Sequence, residues 1–214
     1  MADMNAPAAV VALPRRRIDA VLIGIGVLAT AVFVVAGVLL SWGSNFSADY
    51  VRDELSSQRI TFPSAEALEA EGRDDLVKFA GQPLETGQQA EAYASYIDGH
   101  LENTADGKTY AELGADERAA NAAVQAAIDA GEPQETIDEL QAEADKITGQ
   151  RNTLFKGETL RGLLLSAYAW STVGEIAGYA AIGAFAAAAL MAILVVLGVF
   201  HYRKTPEVTL PQTL

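Results

Sequence analysis

His100 and His201 are the two histidines of this chain, and it has no cysteine. Structural zinc takes Cys and His ligands, and a mononuclear iron oxygenase site takes two His and one carboxylate. Such ligands must converge. His100 sits among polar and acidic residues, whereas His201 follows a long apolar run that ends at Phe200. A membrane crossed by that run would separate the two, so neither site can be assembled within one chain. A Ser/His/Asp triad would have to use His100, and no Gly-x-Ser-x-Gly elbow accompanies it. Gly107-Lys108-Thr109 matches the end of a phosphate-binding loop, but Glu102 stands where the first glycine belongs and no strand pattern precedes it. Carboxylates are plentiful, yet no Asp-x-Asp-x-Asp-Gly calcium loop occurs. Glu175 is the candidate for an intramembrane proton or cation path, because a carboxylate in lipid is costly and usually functional. These residues lead to the expectation of a non-enzyme with no catalytic, cofactor-binding or metal residues.

The elements that would position these groups are set by hydropathy. Residues 20–42 contain no charge, and residues 162–200 contain only Glu175. A helix rises about 1.5 Å per residue, so roughly 20 residues cross a hydrocarbon core of about 30 Å. A soluble helix of this length needs a polar face, and neither stretch has one. The first stretch has a second reading as a cleaved signal peptide, whose apolar region is about 7–15 residues and ends at a small-x-small site. Here the run is longer and ends in Leu39-Leu40-Ser41-Trp42, with tryptophan where an interfacial anchor belongs.

Basic residues set the orientation. Arg15, Arg16 and Arg17 precede the first stretch, and Arg203 and Lys204 follow the second. The positive-inside rule therefore puts both termini in the cytoplasm of a multi-pass cell-membrane protein. Between them, residues 44–160 hold 24 Asp+Glu and 9 Lys+Arg, a net of −15. That field repels nucleic acid and favours cations or basic partners. Without cysteine, the exported part has no disulfide and relies on packing, membrane or partners.

The expected fold is all-α, a membrane protein with two transmembrane helices and a helical extracytoplasmic domain. Residues 1–17 form a cytoplasmic tail, 18–42 transmembrane helix 1, and 43–161 the acidic outer domain. Residues 162–202 form a long helix whose C-terminal part is transmembrane helix 2, and 203–214 a second cytoplasmic tail, too short for an output module. In the outer domain, apolar spacing predicts helices over 46–60, 64–79 with Gly72 as an interruption, 86–100, 116–130 and 134–154. The last two read as an antiparallel hairpin about Gly131-Glu132-Pro133. From Arg203 back to Glu175 is about 42 Å of helix, so Glu175 falls at the outer interface and residues 162–174 project beyond it. Two short spans within 162–200 are the alternative. They would need a turn near Glu175, where no Pro or Asn occurs. Asp19 lies one turn from Arg15 and Arg16 and reads as their partner.

Small residues mark the helix-packing face. Gly174-x-x-x-Gly178 is a small-xxx-small motif, continued by Ala177, Ala181, Ala184, Ala188 and Ala192. The first stretch offers Gly26, Thr30 and Gly37. Small side chains let backbones approach in lipid, so the spans are expected to pack on each other or on a second copy.

Several stretches carry a family resemblance: Tyr50-Val51-Arg52-Asp53-Glu54-Leu55, Gln58-Arg59-Ile60-Thr61-Phe62-Pro63, Phe79-Ala80-Gly81-Gln82, Thr86-Gly87, Ala92-Tyr93-Ala94, Gly107-Lys108-Thr109-Tyr110 and Gly157-Glu158-Thr159-Leu160-Arg161-Gly162-Leu163-Leu164-Leu165. Over roughly residues 47–175 the chain resembles a group of actinobacterial two-span membrane proteins of unknown function. Members often carry the name aromatic ring-opening dioxygenase. Extradiol ring opening needs an iron site with histidine ligands, which this chain cannot build, so the resemblance implies a membrane protein and carries over no established activity.

Four functions compete. The leading one is a non-enzymatic membrane protein whose outer helices bind another protein, as an accessory subunit or scaffold in a homo-oligomer or hetero-complex, with membrane lipid as its surroundings. The others are a regulator of cell-envelope polymer assembly, a carboxylate-based extracytoplasmic hydrolase, and a channel or transporter. The last would need an oligomer and a polar stripe that neither span offers.

Overall fold

The computed structural model describes residues 15–205, and the expectations for the outermost tails lie outside the described residues. The elements are helices α1 (Arg15–Ser57), α2 (Ala65–Ala70), a 3₁₀ helix (Asp74–Phe79), α3 (Gly87–Thr104), α4 (Tyr110–Ala130) and α5 (Gln134–Lys204). Among the described residues the chain is all-α. Its one extended pairing is an isolated bridge between Thr61 and Pro83. The described residues divide into two compact units, residues 15–45 with 175–205, and residues 46–174.

The first unit is built from the N-terminal part of α1 and the C-terminal part of α5. Both helices are long and apolar enough to cross a membrane, each with a window of mean hydropathy 2.7. They run antiparallel, and small residues set the contact. A Cβ on Gly26 would lie 2.7 Å from Val195 Cγ2, one on Gly198 3.2 Å from Ile23 Cγ1, and one on Gly178 2.9 Å from Ser44 Oγ. Buried or half-buried residues, Gly26, Thr30, Phe33, Gly37 and Leu40 on α1 and Ala181, Ala184, Ala188, Met191 and Val195 on α5, recur in three- and four-residue steps. That 3.5-residue period is the one by which two helices keep a single seam in contact along their length. Thr30 donates its hydroxyl back to Gly26 O at 2.8 Å, which satisfies that hydroxyl within the helix.

The second unit has its own core. Val51 and Leu55 of α1, Leu164 of α5, Leu68, Leu76, Phe79, Leu84, Ala90 and Ala94 are buried together. Phe62 stacks on Phe79 at 5.3 Å and meets the ring of Tyr93 edge-on at 5.2 Å. Gly72 breaks the predicted 64–79 helix. Its φ of +70° is left-handed, which suits glycine, and it separates α2 from the 3₁₀ turn. The bend into α3 is fixed by a capping box: Thr86 Oγ1 accepts from Gln89 N, and Gln89 Oε1 accepts from the Thr86 and Glu85 N–H groups. α4 and α5 form the antiparallel hairpin. Gly131, at φ +70°, ends α4 in a left-handed cap whose N–H reaches Ala127 O and Ile128 O. A smaller core joins Leu101, Ala105, Leu113 and Leu154.

Two helices run further than their sequence predicts. The boundaries at 42/43 and 161/162 both fall inside unbroken helix. Asn45 and Ser47 have the composition of a helix start, but no proline interrupts α1 before its end at Ser57, and Val51 and Leu55 are buried in the core. Gly149, Gly157 and Gly162 weaken propensity by about 1 kcal/mol each, yet α5 passes through all three. At Gly157 the reason is visible: Leu101 packs so closely against it that any Cβ would collide with its side chain. α4 also begins at Tyr110, six residues before the predicted start, because Thr109 caps it.

Candidate functional site

The residues whose types could do chemistry are spread over the second unit and largely satisfy one another. His100 lies on α3, exposed. Its Nδ1 is 3.0 Å from Tyr96 O, its ring packs against the Tyr96 ring at 4.5 Å, and its Nε2 is 3.7 Å from Glu71 Oε2. Tyr96 donates its hydroxyl to Glu71 Oε1 at 3.4 Å. Beside them, Arg73 makes a two-pronged contact with Asp75, 3.0 Å on each arm, and donates to Ser95 O and Oγ at 2.9 Å. Hydrogen bonding to Asp75 raises the Arg73 pKa, and the same bond lowers that of Asp75. Burial raises the Tyr96 phenol. The arrangement clamps the turn after α2 onto α3. An open cleft of about 450 Å³ lies against it, bounded by Glu71, His100, Glu102 and Asn103. Among the described residues, no three His, Asp or Glu converge to hold a metal ion.

Gly107-Lys108-Thr109 is a helix cap. Thr109 Oγ1 accepts from Glu112 N at 3.3 Å, and Glu112 Oε2 accepts from Thr109 N at 2.8 Å. Lys108 donates to Asp116 at 2.7 Å. The amide and hydroxyl that a phosphate would need are thus engaged within the chain.

Sequence reasoning missed the ionic contact of the hairpin. Glu117 of α4 accepts from Arg151 Nη1 at 2.6 Å and from Thr148 Oγ1 at 2.9 Å. The bond from Thr148, then Arg151, lowers the Glu117 pKa. Arg151 also lies over the Tyr110 ring at 4.3 Å. Thr148 and Arg151, three residues apart on α5, share the helix face that meets Glu117.

The other missed feature is apolar. A groove of about 340 Å³ runs between α1 and α5, lined by Tyr50, Leu55, Leu160, Leu163, Ala167 and Trp170, with Glu54, Gln58 and Ser166 among its polar members. Leu163 is 64% exposed and Trp170 57%, which is unusual for large apolar side chains in a unit this acidic. Ser47, buried, donates its hydroxyl to Trp170 O at 2.6 Å and pins the two helices beside the groove.

The predicted helix-packing residues are placed as follows. Ala181 and Ala188 are buried, Ala177, Gly178 and Ala184 are half-buried on the same face of α5, and Gly174 is buried at the end of the second unit. The basic residues fall at the helix ends. Arg15, Arg16 and Arg17 form the first turn of α1, and Arg203 and Lys204 the last turn of α5. Arg15 Nη2 approaches His201 Nε2 at 3.5 Å, and Arg16 lies over the Tyr202 ring at 4.8 Å. Glu175 is exposed, at the first residue of the α5 segment in the first unit.

No protein-family model, curated protein or solved structure matches the chain.

Proposed function

We propose that this chain is a non-enzymatic integral membrane protein, held by two spans with both termini in the cytoplasm, whose extracytoplasmic helical domain docks another protein. The observation that carries the membrane placement is exposure. In the most apolar windows of α1 and α5 only 11% and 6% of the residues are buried within the chain. A core helix of a soluble protein buries such a surface, and two faces this apolar in water would drive aggregation. Lipid is the solvent that fits them. Arginine and lysine before the first apolar stretch and after the second, with a net −15 over residues 44–160 between them in the sequence, support the orientation.

The docking role is supported by the groove. Protein interfaces place aromatic anchors in an apolar centre, and Tyr50, Leu163 and Trp170 supply such a centre on a surface otherwise rich in carboxylates. The test is extraction of the tagged chain in mild detergent, with identification of what co-purifies and the native mass of the complex. A partner or second copy in fixed stoichiometry is expected. A bare monomer with no partner at native abundance contradicts the docking role.

A further inference from the structure

We propose that the end of the helix pair formed by Arg15, Arg17, Arg203 and Lys204 binds the phosphate of an anionic phospholipid. This rests on the membrane placement proposed above and adds the headgroup class. The contacts Arg15–His201 and Arg16–Tyr202 bring the first turn of α1 and the last turn of α5 side by side. Five cations thereby share one end of the pair: Arg15, Arg16, Arg17, Arg203 and Lys204. Among the described residues of the first unit outside Glu175, Asp19 is their only opposing carboxylate. That end is a local excess of positive charge on a chain whose net charge is −13.

Charge alone would suit any phosphate. The second half of the argument is the neighbouring apolar surface. Ile18, Val21 and Leu22 on α1, and Leu197 and Phe200 on α5, are each at least 45% exposed within one or two turns of the basic residues. A free phosphate ion has nothing to place on them. An amphiphile does: its acyl chains lie along these side chains while its phosphate meets the guanidinium and ammonium groups. Arginine suits this because its planar fork pairs two phosphate oxygens at once. Basic residues next to a span attract anionic lipid at short range, with each contributing about fivefold in affinity.

The full-length protein is reconstituted into nanodiscs of phosphatidylcholine containing a minority of phosphatidylglycerol. The lipid retained per protein is then counted by native mass spectrometry after mild extraction. Phosphatidylglycerol is expected to be retained in preference to phosphatidylcholine. Retention should fall by about tenfold or more in the triple variant Arg17→Gln, Arg203→Gln, Lys204→Gln. A control triple variant in the second unit, Arg52→Gln, Arg118→Gln, Lys156→Gln, should retain lipid as the parent does. Both leaflets of a nanodisc carry the same lipids, so an altered insertion direction does not mask the effect. Equal retention of the two lipids overturns the proposal, as does retention that the basic-end variant leaves unchanged. Displacement by inorganic phosphate, at levels where chloride of matched ionic strength displaces nothing, also overturns it and assigns the site to a free anion. Failure to enter discs of phosphatidylcholine alone would instead contradict the membrane placement itself.

Discussion

Gly37 of α1 lies directly beneath the ring of Phe185 of α5. A Cβ at Gly37 would sit 2.8 Å from Phe185 Cε1 and 2.9 Å from Cδ1 and Cζ, closer than van der Waals contact allows. The close approach of the two apolar helices therefore depends on a missing side chain, and a Cβ at Gly37 would have to displace the Phe185 ring. Gly37→Ala is expected to destabilise the folded protein in detergent by about 1–3 kcal/mol, the usual range for overpacking. Gly24→Ala is the control, because a Cβ there meets nothing within 4 Å and alanine favours helix by up to about 1 kcal/mol. Thermal unfolding of the two variants should move in opposite directions, and a Gly37→Ala midpoint at or above the parent's would refute the close packing.

The Glu117 contacts predict an acid dependence. Bonding to Thr148 and Arg151 lowers the Glu117 pKa from its ordinary 4.5. A carboxylate with a depressed folded-state pKa contributes stability that is fully present above the unfolded value and is lost as pH falls through the folded one. Glu117→Gln should therefore be less stable than the parent at neutral pH, with the gap closing below pH 4.5 as the parent's carboxylate protonates. Unfolding midpoints of both proteins across that interval give the answer. A gap of constant size at every pH would mean that charge on Glu117 plays no part.

Gln89 is a buried side chain with every polar atom engaged. Its Oε1 accepts from Glu85 N at 2.9 Å and Thr86 N at 3.0 Å, and its Nε2 donates to Gln82 at 3.1 Å. Gln89→Leu keeps the bulk and strands two backbone N–H groups at the start of α3. The expected loss is about 1–3 kcal/mol per stranded group. Thr86→Ala, which removes the reciprocal cap, is expected to lose about 1 kcal/mol. Denaturant titration followed by helical circular dichroism separates the two. A Gln89→Leu variant as stable as the parent would show that the cap is dispensable.

The groove predicts the site of docking. Leu163→Asp puts a charge in its apolar wall, and Trp170→Ala removes its largest exposed side chain, while neither Leu163 nor Trp170 belongs to the buried core. The double variant should fold as the parent does and lose most of the co-purifying partner. Aromatic anchors of this kind account for about 2 kcal/mol or more when truncated, which is roughly thirtyfold in affinity. Unchanged partner recovery would move the docking surface elsewhere on the second unit.

The fold was legible where period and punctuation agree. Gly131-Glu132-Pro133 marks the hairpin turn and Gly72 the break after α2, because a positive φ or a missing N–H leaves a residue-level trace. The continuity of α5 past residue 154 was not legible, since Gly157 and Gly162 look like stops until Leu101 is seen to occupy the space beside Gly157. The groove was equally hidden. Leu163 and Trp170 look like part of an apolar run, and only their placement against Tyr50 and Leu55 shows a concave surface. The Glu71–His100 contact joins residues on separate elements, with nothing local to announce it.

The most direct test of the central claim is the sidedness of the two units. The chain has no cysteine, so a single introduced thiol reports cleanly. Asn152→Cys lies on the exposed surface of the second unit, and Thr205→Cys lies just past the last basic residues of α5. In intact cells, a membrane-impermeant maleimide is predicted to label position 152 and to leave position 205 unlabelled until the membrane is broken. Labelling of both positions in intact cells, of neither, or of position 205 alone would contradict two spans with the acidic domain outside.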